Sequence, residues 1–102
     1  MSVTVQVIYP ISDDTNFDYD YYNSTHSDLL AKHVGPHMER TLITKGLAGG
    51  PDTPPAFYAI ATLVFKDQNA MNAGLAQADP VLADIANFTN SQPQMLIGEV
   101  IG

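Results

Sequence analysis

Cysteine is absent from this 102-residue chain, which excludes disulfides, thiolate nucleophiles and cysteine-ligated metals. Basic residues are scarce: four Lys and Arg stand against eleven Asp and Glu, for a net charge of -7. A surface of that sign repels phosphate backbones, so neither nucleic acid nor an anionic membrane is expected as a partner. No apolar run approaches membrane-spanning length. The opening MSVTVQVIYP has no basic region ahead of its apolar stretch, so no signal peptide is expected and the expected compartment is the cytoplasm. Phosphate loops, GxGxxG fingerprints and GxSxG nucleophile elbows are missing too. The glycine-rich GLAGGPDTPP ends in prolines and reads as a turn between strands.

What is present fits one globular domain over residues 1–102. Apolar residues make up 45% and charged ones 15%, enough for a single core in a chain short enough to benefit from oligomerisation. VTVQVIY alternates valine with polar residues and stops at Pro10, the pattern of a strand. Asp18 is placed to cap a helix running from about Tyr19 to His33 or Val34, where Gly35-Pro36 ends it. MERTLITKGL is a second strand and AFYAIATLVF a third. Asp67 caps a helix to about Ala78, and Asp79-Pro80 restarts one, with aspartate as cap and proline at the first position. QMLIGEVIG is the last strand. The order β-α-β-β-α-β is the ferredoxin-like, split-βαβ arrangement of the α+β class: a four-stranded antiparallel sheet with both helices on one face.

The third strand adds a partner. Phe57, Ala59, Ala61, Leu63 and Phe65 share one face; Tyr58, Ile60, Thr62 and Val64 share the other. Both are apolar or nearly so, whereas a sheet covered on one side should show a polar opposite face. A second copy packed sheet to sheet would cover it, so a homodimer is expected.

Chemistry concentrates in FDYDYYNSTHSDLLAKHVGPH, residues 17–37, which holds three tyrosines and all three histidines. Tyr19, Tyr22, His26, Leu29, Leu30 and His33 recur at helical spacing and form one sheet-facing stripe. A partly buried histidine one turn from a phenol is equipped for proton transfer near neutral pH, although such a histidine can also simply satisfy a backbone carbonyl. His33 and His37 are four apart, but Gly35-Pro36 separates them, so no metal site is expected. No spacing supports a haem ligand, and no cofactor is expected. Asp84, on or beside the inward stripe of Val81, Ile85 and Phe88, could orient a histidine, cap a backbone amide, or face solvent.

The successive motifs YP, FDYDYYNSTHSDLL, PPAFYAIATLVFKD and ADIANFTNSQPQMLIGEVI resemble those of the EthD family, named for ethyl tert-butyl ether degradation. The resemblance spans nearly the whole chain. Its most specific parts are the tyrosine pair before His26 and the box from Asp84 to Thr89. It implies a dimeric α+β barrel, related to muconolactone isomerases, cofactor-free quinol-forming monooxygenases, polyketide cyclases and decarboxylases, and haem-dependent chlorite dismutases. It also implies a ligand between sheet and helices within each subunit, with His26 at the site and Tyr22, Asp84, Asn87 and Phe88 beside it.

The expected function is a small cofactor-independent enzyme of the catabolism of hydrophobic, oxygenated small molecules: an ether, aromatic, lactone or polyketide-like ring. His26 would be the acid or base, Tyr22 the donor to a substrate oxygen and Asp84 the holder of the imidazole, with Phe17, Met71 and Phe88 as apolar wall and Asn87 beside the ligand. The alternatives are a non-catalytic binding or accessory protein supporting a partner oxidase, and a haem-binding protein.

Overall fold

The computed structural model describes residues 1–102 and carries the expected order of elements. Strand β1 (Val3–Pro10) leads to a long first helix in three segments: α1 (Tyr19–Tyr21), a π turn (Tyr22–His26) and α2 (Ser27–His33). After a 3-10 turn at Gly35–His37 come β2 (Arg40–Lys45) and β3 (Phe57–Phe65). Then follow α3 (Gln68–Leu75), α4 (Asp79–Asp84) with a 3-10 turn at Ile85–Asn87, and β4 (Gln94–Glu99). The sheet order is β2-β3-β1-β4 with every pair antiparallel, the ferredoxin-like topology.

Local chemistry sets most of the boundaries. The Asp18 carboxylate accepts from the Tyr21 amide at 3.1 Å, and Asp67 accepts from the Ala70 amide at 2.8 Å, so two of the expected caps form. The third is corrected. Ala78 occupies the cap of α4 and Asp79 is its first helical residue, where a negative charge still meets the positive end of the helix. The second strand is shorter than MERTLITKGL because Met38 is still leaving the 3-10 turn, and Gly46 already begins the loop. A Cβ on Gly46 would stand 2.0 Å from the Phe57 carbonyl oxygen, so the chain passes β3 there only as glycine. The last strand stops at Glu99, opposite Val3, the first residue of β1.

Register assigns the faces. Val3, Val5, Val7 and Tyr9 of β1 lie opposite Phe65, Leu63, Ala61 and Ala59 of β3. This face meets the helices, packing Val5, Leu63 and Phe65 with Val34, Met71 and Val81. Full burial of side chains such as Val5 and Phe65 contributes about 1.5–3 kcal/mol each. The opposite face presents Leu42, Ile60 and Leu96 around a Gln6–Thr62 hydrogen bond of 3.1 Å. Leu42 and Leu96 are more than half exposed there.

Candidate functional site

His26 reaches the interior through the π turn. The Ser27 amide bonds the Tyr22 carbonyl five residues back, and the Ser27 hydroxyl adds a second bond to the same oxygen at 3.0 Å. The Ser24 hydroxyl likewise bonds the Asp20 carbonyl at 2.6 Å, so the serines of YNSTHS supply donors where the helix widens. The turn changes which residues face inward. Tyr22, His26, Leu30 and Val34 line one cavity at a constant spacing of four, a spacing that drifts by about 40° per step on a regular α-helix. A single wide turn takes up much of that drift. The expected stripe is corrected accordingly. Tyr19 swings to the rim, its hydroxyl donating to the Tyr58 carbonyl at 3.0 Å, and His33 does not line the cavity.

The cavity, about 270 Å³, lies between the inner face of the sheet and the helices. Val5, Val7, Ala61 and Leu63 form its floor; His26 and Ser27 are its only wall residues outside the hydrophobic class. Leu82 and Met95 line it yet are about half exposed, which places an opening between α4 and β4.

Asp84 comes from α4, 58 residues beyond His26, and the two meet inside: His26 Nδ1 lies 3.0 Å from Asp84 Oδ2. The other oxygen, Oδ1, accepts from the Tyr21 hydroxyl at 2.6 Å and from Asn87 Nδ2 at 2.9 Å. Burial acts to raise the Asp84 pKa, but the hydrogen bonds from Tyr21, Asn87 and His26 outweigh it and hold the carboxyl below its ordinary value. For His26, burial wins over the raising effect of Asp84, and the imidazole sits below its ordinary value. The pair at neutral pH is therefore a carboxylate beside a neutral imidazole. A carboxylate can only accept, so the proton is on Nδ1 and the lone pair on Nε2, which has no hydrogen-bond partner within the chain.

Aromatic rings fix the imidazole. Tyr22 stacks on it at 5.5 Å between centroids, and Phe88 lies against it at 4.5 Å. Burial pushes the Tyr22 phenol up to about 12, and its hydroxyl is the one buried side-chain polar atom without a hydrogen-bond partner. The box from Asp84 to Thr89 acts as a unit. The Phe88 carbonyl accepts from the Asp18 amide at 2.8 Å, and the Thr89 hydroxyl donates to the Asn16 carbonyl at 2.6 Å, tying α4 to the start of the first helix.

His26, Tyr22 and Asp84 thus come together. Phe17, Met71, Asn87 and Phe88, expected at the ligand, do not line the cavity. Met71 is spent in the core around Phe65, because α3 packs beyond the cavity's end. Phe17 joins the ring cluster of Tyr9, Tyr22 and Phe88; Asn87 is on the surface and braces Asp84; Phe88 backs the imidazole. Two residues went unrecognised in the sequence. Tyr21 is the shortest contact to Asp84, and its only signal was membership of the tyrosine pair. Tyr9, of the YP motif, is buried and lines the cavity from the sheet.

Fold and site define an α+β, ferredoxin-like protein with an internal apolar cavity lined by one histidine, which a buried carboxylate holds from behind. Residues 13–92 match the family model described as the EthD domain, and the chain belongs to the EthD family. It is similar to the crystal structure of an EthD-like protein from Ralstonia eutropha JMP134, at 30% identity and a TM-score of 0.87 over 99% of this chain and 93% of that one. An EthD family protein from Bacillus halodurans C-125 matches at 19% identity and a TM-score of 0.68, over 99% and 100% of the two chains. SnoaB, a cofactor-independent oxygenase from Streptomyces nogalater, shares the fold at 13% identity and a TM-score of 0.61, over 99% and 93%. No curated protein sequence is significantly similar to the chain.

Proposed function

We propose that the protein is a small enzyme of small-molecule metabolism that needs no cofactor and uses His26 as its acid–base group. The observation that carries this reading is the free Nε2 lone pair at an apolar cavity, with Nδ1 held by a carboxylate that is itself held by two further donors. That arrangement fixes tautomer and ring orientation, the two requirements of a histidine base.

The substrate is a hydrophobic molecule with a carbonyl or phenolic oxygen. An apolar cavity of 150 Å³ holds benzene, so about 270 Å³ takes one substituted ring or a small bicycle rather than a fused polycycle. Nε2 removes a proton from the carbon next to the carbonyl, and the bonding pair moves onto the oxygen to give an enolate. The unused Tyr22 hydroxyl, sealed from the cavity in the free chain, becomes the donor for that oxygen when its ring turns inward. A buried unpaired donor costs about 1–3 kcal/mol, which an oxygen brought by the ligand would offset. Return of the proton at a different carbon is isomerisation; loss of carbon dioxide from a β-keto acid would reach an enolate of the same kind, and an oxygen adduct would need dioxygen as co-substrate. The working unit is a homodimer joined through the Leu42–Ile60–Leu96 face, which leaves each cavity within its own subunit.

The test is exchange of acidic C–H protons into deuterated water across a panel of one-ring ketones and lactones. His26→Ala should abolish exchange while leaving the dimer intact, with the melting temperature lowered by the lost ring packing and the lost Asp84 bond. Exchange at an unchanged rate in the variant would remove His26 from the mechanism.

A further inference from the structure

A second recess, about 330 Å³, adjoins the inner cavity. The two share Tyr22 and Ile43 as a common wall, and Tyr22 bears the unpartnered hydroxyl. Chemically they differ: the inner cavity is apolar, whereas the recess is lined by Asp20, Asn23 and Lys45 together with Tyr19 and Ala59.

Lys45 is unusual in this chain. It is one of four basic residues in a protein of net charge -7, and the only one lining either space. Its ammonium stands 4.3 Å from the centroid of the Tyr19 ring, and that ring is itself anchored by the hydroxyl bond to the Tyr58 carbonyl. The aromatic face holds the cation at the recess. No carboxylate lies within ion-pair distance of it, His26 and Asp84 being the only such pair in the chain. Lys45 pairs in register with Ala59, on the helix-bearing side of the sheet, so two copies joined through the opposite face leave it uncovered.

We propose that this recess is a head-group subsite for a carboxylate, making the ligand an amphipathic one-ring acid. The ring lies in the inner cavity against His26, the chain of the molecule crosses the shared wall where the Tyr22 and Ile43 side chains part to admit it, and the carboxylate sits between the Lys45 ammonium and the Asn23 amide. The inference rests on the inner cavity being the ligand site and adds the polarity of the ligand's outer end. Asp20, on the same rim, opposes a carboxylate, which gives the subsite two charges whose removal must act in opposite directions.

The experiment titrates the full-length chain with 4-phenylbutyrate and with its neutral amide, following the His26 imidazole resonances. The acid should bind about fivefold tighter, the scale of one half-exposed charge pair. Lys45→Gln should erase that preference, Lys45→Arg should keep it, Asp20→Asn should widen it, and added salt should narrow it. Equal affinities in the wild type, or a preference that survives Lys45→Gln, would overturn the subsite while leaving the inner cavity standing. If neither probe moves the His26 resonances, the cavity reading fails and the subsite falls with it.

Discussion

Exchanging Asp84 for asparagine keeps the shape of the site and removes its charge. Three donors converge on the native carboxylate: Tyr21 Oη and Asn87 Nδ2 on one oxygen, His26 Nδ1 on the other. An amide offers a single acceptor. If its oxygen stays with Tyr21 and Asn87, its NH₂ faces Nδ1, and every group is satisfied once the imidazole moves its proton to Nε2. The flipped amide would instead set two donors against an NH₂, so the first arrangement wins. The variant then has no lone pair facing the cavity. The equivalent exchange in the Ser-His-Asp triads of serine proteases lowers turnover about 10⁴-fold through the same tautomer fault, and proton transfer by one side chain is worth about 10²–10⁴ in general. Turnover should therefore fall by at least about a hundredfold. Replacing the charge-assisted His26 bond by a neutral one costs about 1 kcal/mol, or about 4–8 °C of melting temperature in a domain of this size. The His26 pKa should move further down, since burial remains while the raising influence of Asp84 is gone. Nitrogen-15 correlation spectra of the imidazole separate the two tautomers directly. A wild-type imidazole protonated at Nε2, or an asparagine variant still protonated at Nδ1, would refute the assignment of roles.

Stability should fall as the solution is acidified, in two stages. The folded His26 pKa lies below 6.5, so below that value the unfolded chain takes a proton that the folded chain refuses; its contribution is complete above 6.5 and is lost on the way down. Asp84, depressed from 3.8, contributes above that value and loses its contribution as pH drops through the folded value. Urea midpoints from pH 7.5 to 3 should show both, and His26→Gln should flatten the first. Gly74→Ala places a Cβ 2.8 Å from Phe65 Cε1 and 3.2 Å from Val34 Cγ1; overpacking of about 1–3 kcal/mol should exceed the helix-propensity gain of about 1 kcal/mol, so the melting temperature should drop. Ile60→Lys puts a charge at the centre of the open sheet face, and sedimentation should show monomers; an unchanged dimer would mean that the copies meet elsewhere.

The sequence carried the fold well because each of its signals is local. Asp18 and Asp67 announce helices within three residues of themselves, and the two apolar faces of AFYAIATLVF are visible without any other strand. The site was less legible because it is assembled across the chain. Nothing near Asp84 says that its partner lies 58 residues earlier; only the order of the family motifs hinted at it. Tyr21 was overlooked because a helix of 3.6 residues per turn directs it away from the stripe, and the wide turn that accompanies its reach to Asp84 leaves no mark beyond a run of hydroxyl residues. Met71 shows the opposite fault: an apolar residue on an inward helix face looks the same whether it lines a cavity or fills a core.

A π turn is a helix holding one residue more than its length requires. Deleting Thr25, whose side chain is exposed, would let the segment from Tyr22 to Ser27 close into ordinary α-helix. Residues on the two sides of the excision would keep nearly their present facing, since a wide turn absorbs one extra residue without rotating its flanks, while Tyr22 and His26 would stand three apart instead of four. The shortened chain would keep its sheet, its caps and its core, and its first helix would be more regular. The extra residue is thus an insertion that the helix carries. A single-codon deletion would therefore show whether the four-residue spacing of Tyr22 and His26 matters, since the helix on either side and the sheet beneath it are spared.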